Sequence, residues 1–86
     1  MKEVKLFYLR ECPLCKKALR YIEQAKAKHS ELADIEIEMI EESEQAALAD
    51  KYDYYYVPTF YIAGEKVHEG GIFPDEVEQI LRQALE

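Results

Sequence analysis

The sequence predicts an α/β domain, a four-stranded mixed sheet built in the order β-α-β-α-β-β-α with helices on both faces. Three observations carry this. An apolar run, an amphipathic helical stretch and an alternating stretch follow one another within the first 40 residues, which is a βαβ unit with parallel strands and a right-handed crossover. Two short strand-like runs flank Ala63-Gly64-Glu65 and form an antiparallel hairpin. A final stretch after Pro74 repeats apolar residues at helical spacing.

Val4 to Leu9 is nearly all apolar, with β-branched and aromatic members, and reads as a buried strand. The first helix should run from Pro13 to about His29. Ala18, Tyr21 or Ile22, Ala25 and His29 recur on one side, and lysines and glutamates fill the other. Ile35-Glu36-Ile37-Glu38-Met39-Ile40 alternates, with one apolar and one acidic face, which suits an edge strand. Ser43 is placed to cap a second helix from Glu44 to about Tyr52, with Leu48 and Tyr52 turned to the core. Tyr54, Tyr55 and Tyr56 then read as loop surface or helix cover. Thr59 to Ile62 is the third strand, Lys66 to Glu69 the fourth, and Gly70-Gly71 ends it. Pro74 opens the last helix at its first position. Asp75, Glu76 and Glu78 complement the helix dipole, and Val77, Ile80, Leu81, Ala84 and Leu85 form the apolar stripe.

Eighty-six residues make one domain, residues 1–86, and a chain of this size buries roughly 60–65% of its unfolded surface. An apolar content of 49% excludes a disordered chain. The net charge of −7 argues against a nucleic-acid partner, because phosphate contacts need clustered Lys and Arg. No signal-type or membrane-spanning apolar run is present, so a cytoplasmic protein, working as a monomer, is expected.

The chemistry concentrates in Cys12-Pro13-Leu14-Cys15, which holds both cysteines of the chain. A C-x-x-C where a strand meets a helix reads as a redox pair. Pro13 fits the first helical position and leaves Cys12 as N-cap, its sulfur facing the free N–H groups of Leu14 and Cys15 and the positive end of the dipole. Such a place favours the thiolate, which is the nucleophile. Lowering a thiol pKa from ~8.5 to ~7 raises the thiolate fraction at pH 7 roughly 16-fold. Lost basicity takes back roughly 5-fold, so a stable thiolate matters more as a leaving group than as an attacker. Arg10, Lys16 and Lys17 should help to stabilise it and Glu11 should oppose it. Cys12 should be exposed and Cys15 more buried. A zinc site is disfavoured, because His29 and His68 lack the H-x₃₋₅-H spacing and no further cysteine exists. His68 reads as an ordinary strand residue.

With these residues in this order the chain resembles the thioredoxin superfamily, and its small glutaredoxin-like members most closely. The likeness rests on Cys12-Pro13-Leu14-Cys15 after the first strand, Val57-Pro58-Thr59-Phe60 entering the third, Gly70-Gly71 after the fourth, and the Leu48-Ala49-Asp50-Lys51-Tyr52 run-in to Val57. The resemblance implies a thiol–disulfide oxidoreductase with Cys12 as nucleophile and Cys15 as resolving thiol. It also implies a cis Val57–Pro58 bond that offers the Val57 backbone to an extended substrate, with Arg10 and Gly70-Gly71 completing the substrate site. The substrates implied are disulfide-bearing proteins or glutathione mixed disulfides. The resemblance implies no bound cofactor, with glutathione or a flavoprotein reductase as electron donor. Two alternatives remain open: a thioredoxin-type reductase recycled by a flavoprotein, and an iron–sulfur module holding a cluster through Cys12. The chain departs from glutaredoxins at Leu14, where many have tyrosine, and at Ile72-Phe73-Pro74, which separates Gly70-Gly71 from Asp75-Glu76.

Overall fold

Strand β1 (Val4–Tyr8) occupies an inner position of the sheet in the computed structural model, which describes residues 1–86. It pairs in parallel with β2 (Ile37–Glu41) and antiparallel with β3 (Thr59–Ile62), which in turn pairs antiparallel with β4 (Glu65–Glu69). The sheet order is β2-β1-β3-β4, a mixed sheet with the predicted edge strand at one side. Helices α1 (Pro13–Lys28) and α3 (Pro74–Ala84) pack on one face and the short α2 (Ala46–Ala49) on the other. No helix is long and apolar enough to cross a membrane.

Alternation along β1 divides its side chains between two cores. Val4, Leu6 and Tyr8 join Phe60 and Ile62 beneath the stripes of α1 and α3. Phe7 turns the other way and meets Ile40, Ala49 and Tyr61. The hairpin turn is tighter than expected. Ala63 and Gly64 alone connect β3 to β4, both at positive φ (50° and 84°), as a two-residue turn matching the strand twist demands.

Three element boundaries differ from the sequence reading. β1 stops at Tyr8, one residue early, where the chain turns toward α1. β2 begins at Ile37; Ile35 is buried in the core but stays outside the ladder, its N–H bonded to the carbonyl of Leu32. α2 spans four residues rather than nine, and Ser43 does not cap it. The Ser43 N–H and hydroxyl both donate to Glu41 Oε1, at 2.7 and 2.6 Å, so Ser43 is committed to the end of β2 instead. Tyr52, freed from the helix, packs its ring against Phe7 (centroids 4.7 Å) and Tyr61 (5.0 Å).

Candidate active site

The turn out of β1 sets the position of both cysteines. Cys12 N–H donates to the carbonyl of Leu9 (3.1 Å), and the Cys12 carbonyl accepts the first helical bond from Lys16 N–H (3.0 Å). Cys12 has extended backbone (φ −77°, ψ 121°) and is the N-cap residue, with Pro13 at the first helical position. One turn of helix then separates a half-buried Cys12 from a Cys15 that is 1% exposed and packed in the α1–α3 core. Both are free thiols.

Their environments push the two thiols apart. Partial burial raises the Cys12 pKa, but the N–H of Cys15, the Cys15 thiol and the N–H of Leu14 outweigh it and leave the value lowered. Cys12 closes no side-chain cap bond, so this is the influence of helix-start dipoles facing the sulfur. At Cys15 burial dominates and pushes the thiol up to about 12. The Leu9 backbone pulls against this, while the Cys12 thiol and the Glu42 charge add to it.

Two of the three cations expected to assist Cys12 are engaged elsewhere. The Arg10 guanidinium pairs with Glu44 at 2.8 Å, and Lys16 faces Glu11 at 3.8 Å. The lowered Cys12 pKa therefore traces to the helix start and to Cys15, and none of Arg10, Lys16 or Lys17 contributes.

The remaining sequence candidates, Val57, Pro58, Gly70 and Gly71, are linked to one another and to Leu14. Cys12 and Val57 both pack at the margin of the same core cluster, and the Val57–Pro58 peptide bond is cis. Gly70 N–H donates to the Pro58 carbonyl (2.8 Å) from a backbone at φ +90°, a conformation that glycine adopts without strain. A side chain there would meet Tyr56, and one at Gly71 would meet the methyls of Leu14, so the two glycines fill the space between the cysteine turn and the Val57 loop. The side chains those glycines approach, Leu14 (45% exposed) and Tyr56 (71%), leave apolar surface in solvent here.

Three further residues hold the site, and only their chemistry, not their role, was visible in the sequence. Glu41 is buried, and its carboxylate accepts Arg10 N–H (2.9 Å) and the N–H groups of Ser43 and Glu44, tying the loop before Cys12 to the end of β2. The Ser43 hydroxyl, the Arg10 N–H and those other donors hold its pKa at about 2. Glu69 does the same for the other loop. It accepts the N–H groups of Tyr55 (2.6 Å) and Tyr56 (3.0 Å), just before Val57, while Lys66 bonds its second oxygen (2.7 Å). Lys66 and these two N–H groups hold the Glu69 pKa at about 2. His68 is more than a strand residue, because its Nε2 reaches the Gly71 carbonyl at 2.8 Å. The one available signal was position: Glu41 ends a strand, and Glu69 immediately precedes the paired glycines.

A protein-family model described as "Thioredoxin domain" matches residues 2–82. The chain belongs to this family. Its fold matches a single-site mutant of a thioredoxin from Halobacterium salinarum (TM-score 0.71, 25% identity, covering 99% of this chain and 75% of that one). It also matches the oxidised thioredoxin of Plasmodium falciparum (0.70, 18% identity, 95% and 79% covered). An uncharacterized thioredoxin-like protein from Clostridium perfringens is similar as well (0.69, 24% identity, 98% and 71% covered). No curated protein sequence matches. A thioredoxin domain with two cysteines one helical turn apart is a thiol–disulfide oxidoreductase.

Proposed function

We propose that this thioredoxin domain reduces disulfides in polypeptides and is itself reduced by a flavoprotein reductase rather than by glutathione. The observation that carries this reading is the exposed apolar surface of Leu14, between the two cysteines, and of Tyr56, next to Val57, a surface suited to a polypeptide rather than to a charged tripeptide. Two groups that a glutathione carboxylate needs are already occupied. Arg10 is paired with Glu44, and the Phe73 N–H at the start of α3 is held by Glu76 Oε1 at 3.0 Å.

The chemistry follows from the two thiols. Cys12 thiolate attacks one sulfur of the substrate disulfide, forms a mixed disulfide and expels the other sulfur as thiolate. Cys15 then passes its proton to the thiolate expelled in the first step and displaces the remaining substrate thiolate from Cys12, so two electrons leave the dithiol and the Cys12–Cys15 disulfide forms. Timing is built into the electrostatics. While Cys12 is a thiolate, its charge and hydrogen bond help to hold the Cys15 proton in place. Once Cys12 is bonded to substrate that contribution is gone, and Cys15 ionises more readily at the moment it is needed. The Val57 backbone and the Gly70-Gly71 turn flank the attacked bond.

The test compares two electron sources on one polypeptide disulfide: NADPH with thioredoxin reductase, and NADPH with glutathione and glutathione reductase. Turnover is expected with the first and not the second. Fast turnover through glutathione would overturn the choice of donor and favour the glutaredoxin-like reading. Cys12→Ser should abolish activity with both. Cys15→Ser should stop at the mixed disulfide, seen as a mass adduct on Cys12.

A further inference from the structure

On the α2 face of the sheet lies an open pocket of about 440 Å³. Its walls include Leu9, Glu42, Asp50, Tyr52, Tyr54 and Tyr55. Two of its lining residues lie on the loops of the site already described. Leu9 accepts the Cys12 N–H, and Tyr55 stands two residues before Val57 on the segment clamped by Glu69. The volume lies within the range of small-ligand clefts.

The chemistry of the lining is one-sided. Three tyrosines and two acidic residues line the space, and no lysine, arginine or histidine does. Neither Glu42 nor Asp50 takes part in an ion pair, although many other acidic side chains of the chain do. One oxygen of Glu42 accepts the Tyr54 hydroxyl at 2.7 Å, which fixes the carboxylate against an aromatic wall. That wall is itself rigid, since the Tyr54 ring packs on Phe7 with centroids 5.0 Å apart. Aromatic faces attract cations through their quadrupole, and carboxylates beside them add direct charge and hydrogen-bond acceptors.

We propose that this pocket receives the cationic side chain of an arginine or lysine next to the reacting cysteine of the polypeptide substrate. The proposal rests on the disulfide-reducing role above and adds to it a substrate class: polypeptides with a basic residue flanking the disulfide. The occupant follows from charge complementarity, because an acidic side chain would meet two carboxylates and no cation, and an apolar one would leave both carboxylates facing it.

The experiment uses the pre-reduced chain in single turnover, so no external reductant is present. It is mixed with symmetric disulfide dimers of one short peptide carrying Arg, Ala or Glu beside the cysteine. Two peptide thiols are released as Cys12–Cys15 forms, and loss of alkylatable Cys12 gives the rate. The Arg peptide is expected to react about 10-fold faster than the Glu peptide, with Ala between them. The Glu42→Gln/Asp50→Asn double variant should bring the Arg-to-Glu ratio close to one. A Glu23→Gln/Asp34→Asn control removes the same charge at exposed positions outside the pocket and should keep the ratio, which separates the pocket from the overall charge. Equal rates for the Arg and Glu peptides with the unaltered chain, while the Ala peptide reacts, would overturn the proposal and leave the disulfide-reducing role standing. A ratio lost equally in the control would overturn it too. Failure to reduce any of the three peptides would overturn the parent role and the proposal together.

Discussion

On the α1–α3 side of the sheet sixteen buried residues meet in one cluster, most of them aliphatic. On the α2 side only four are buried, and half-buried Tyr52 and Tyr54 complete the layer. The thick side is apolar and holds Cys15 in place. The thin side keeps polar atoms within it: Tyr54 hydroxyl bonds Glu42, and Tyr61 hydroxyl bonds the Asp53 carbonyl at 2.8 Å. A four-residue α2 with small alanines cannot cover the sheet as α1 and α3 do, and the pocket beside Leu9 is what remains. One face of this domain is therefore built for rigidity, and the other leaves room for recognition.

The largest expected effect that tests this contrast is in the thick core. Leu81 is fully buried on α3, so Leu81→Ala should cost about 2–5 kcal/mol. That is a large part of the ~5–15 kcal/mol that holds a small domain folded. Urea unfolding would read it as a lower midpoint at unchanged slope. A loss under about 1 kcal/mol would mean that this core collapses to fill the gap and is no more rigid than the thin face.

A smaller effect is expected on the thin side. Tyr52→Leu keeps much of the apolar area but removes the ring pairs with Phe7 and Tyr61, a loss of about 1–2 kcal/mol. If this variant were as damaging as Leu81→Ala, the division between faces would fail.

The smallest effect belongs to the loop before Val57. Glu69 has its pKa lowered from 4.5 to about 2 in the folded chain, so its contribution is present above pH 4.5 and is lost as pH falls toward 2. The carboxylate is partly exposed and screened by water, which keeps the effect small. Glu69→Gln should flatten the stability profile between pH 4.5 and 2. An unchanged acid slope would show that Glu69 does not hold the Tyr55–Tyr56 segment.

Much of the fold was legible because the thick face writes itself in periodicity. Val77, Ile80, Leu81 and Ala84 repeat at helical spacing because one helix face meets one apolar surface, and Ala18, Ile22 and Ala25 do the same on α1. Cys12 and Cys15 were legible because the cysteine spacing and Pro13 carry their own chemistry. The thin face was harder. The alanines after Ser43 favour helix, and only the β1–β2 register, which brings Arg10 to Glu41 across 31 residues, reveals why Ser43 is drawn to the strand end. In the sequence Glu41 stands in an acidic run and looks solvated. Its burial depends on partners far along the chain, and local pattern contains no record of them.

The three-residue separation of Cys12 and Cys15 has a consequence in polymer terms. A bond between them closes a loop of about four residues, and loop-closure entropy makes that worth about 2 kcal/mol to the fold, against about 4.7 for a loop of 100 residues. Closing and opening the pair therefore changes the freedom of the unfolded chain by less than half of what a bond across 100 residues would. The oxidised domain is therefore held more firmly than the reduced one by about 2 kcal/mol, a real share of the ~5–15 kcal/mol that keeps a small domain folded.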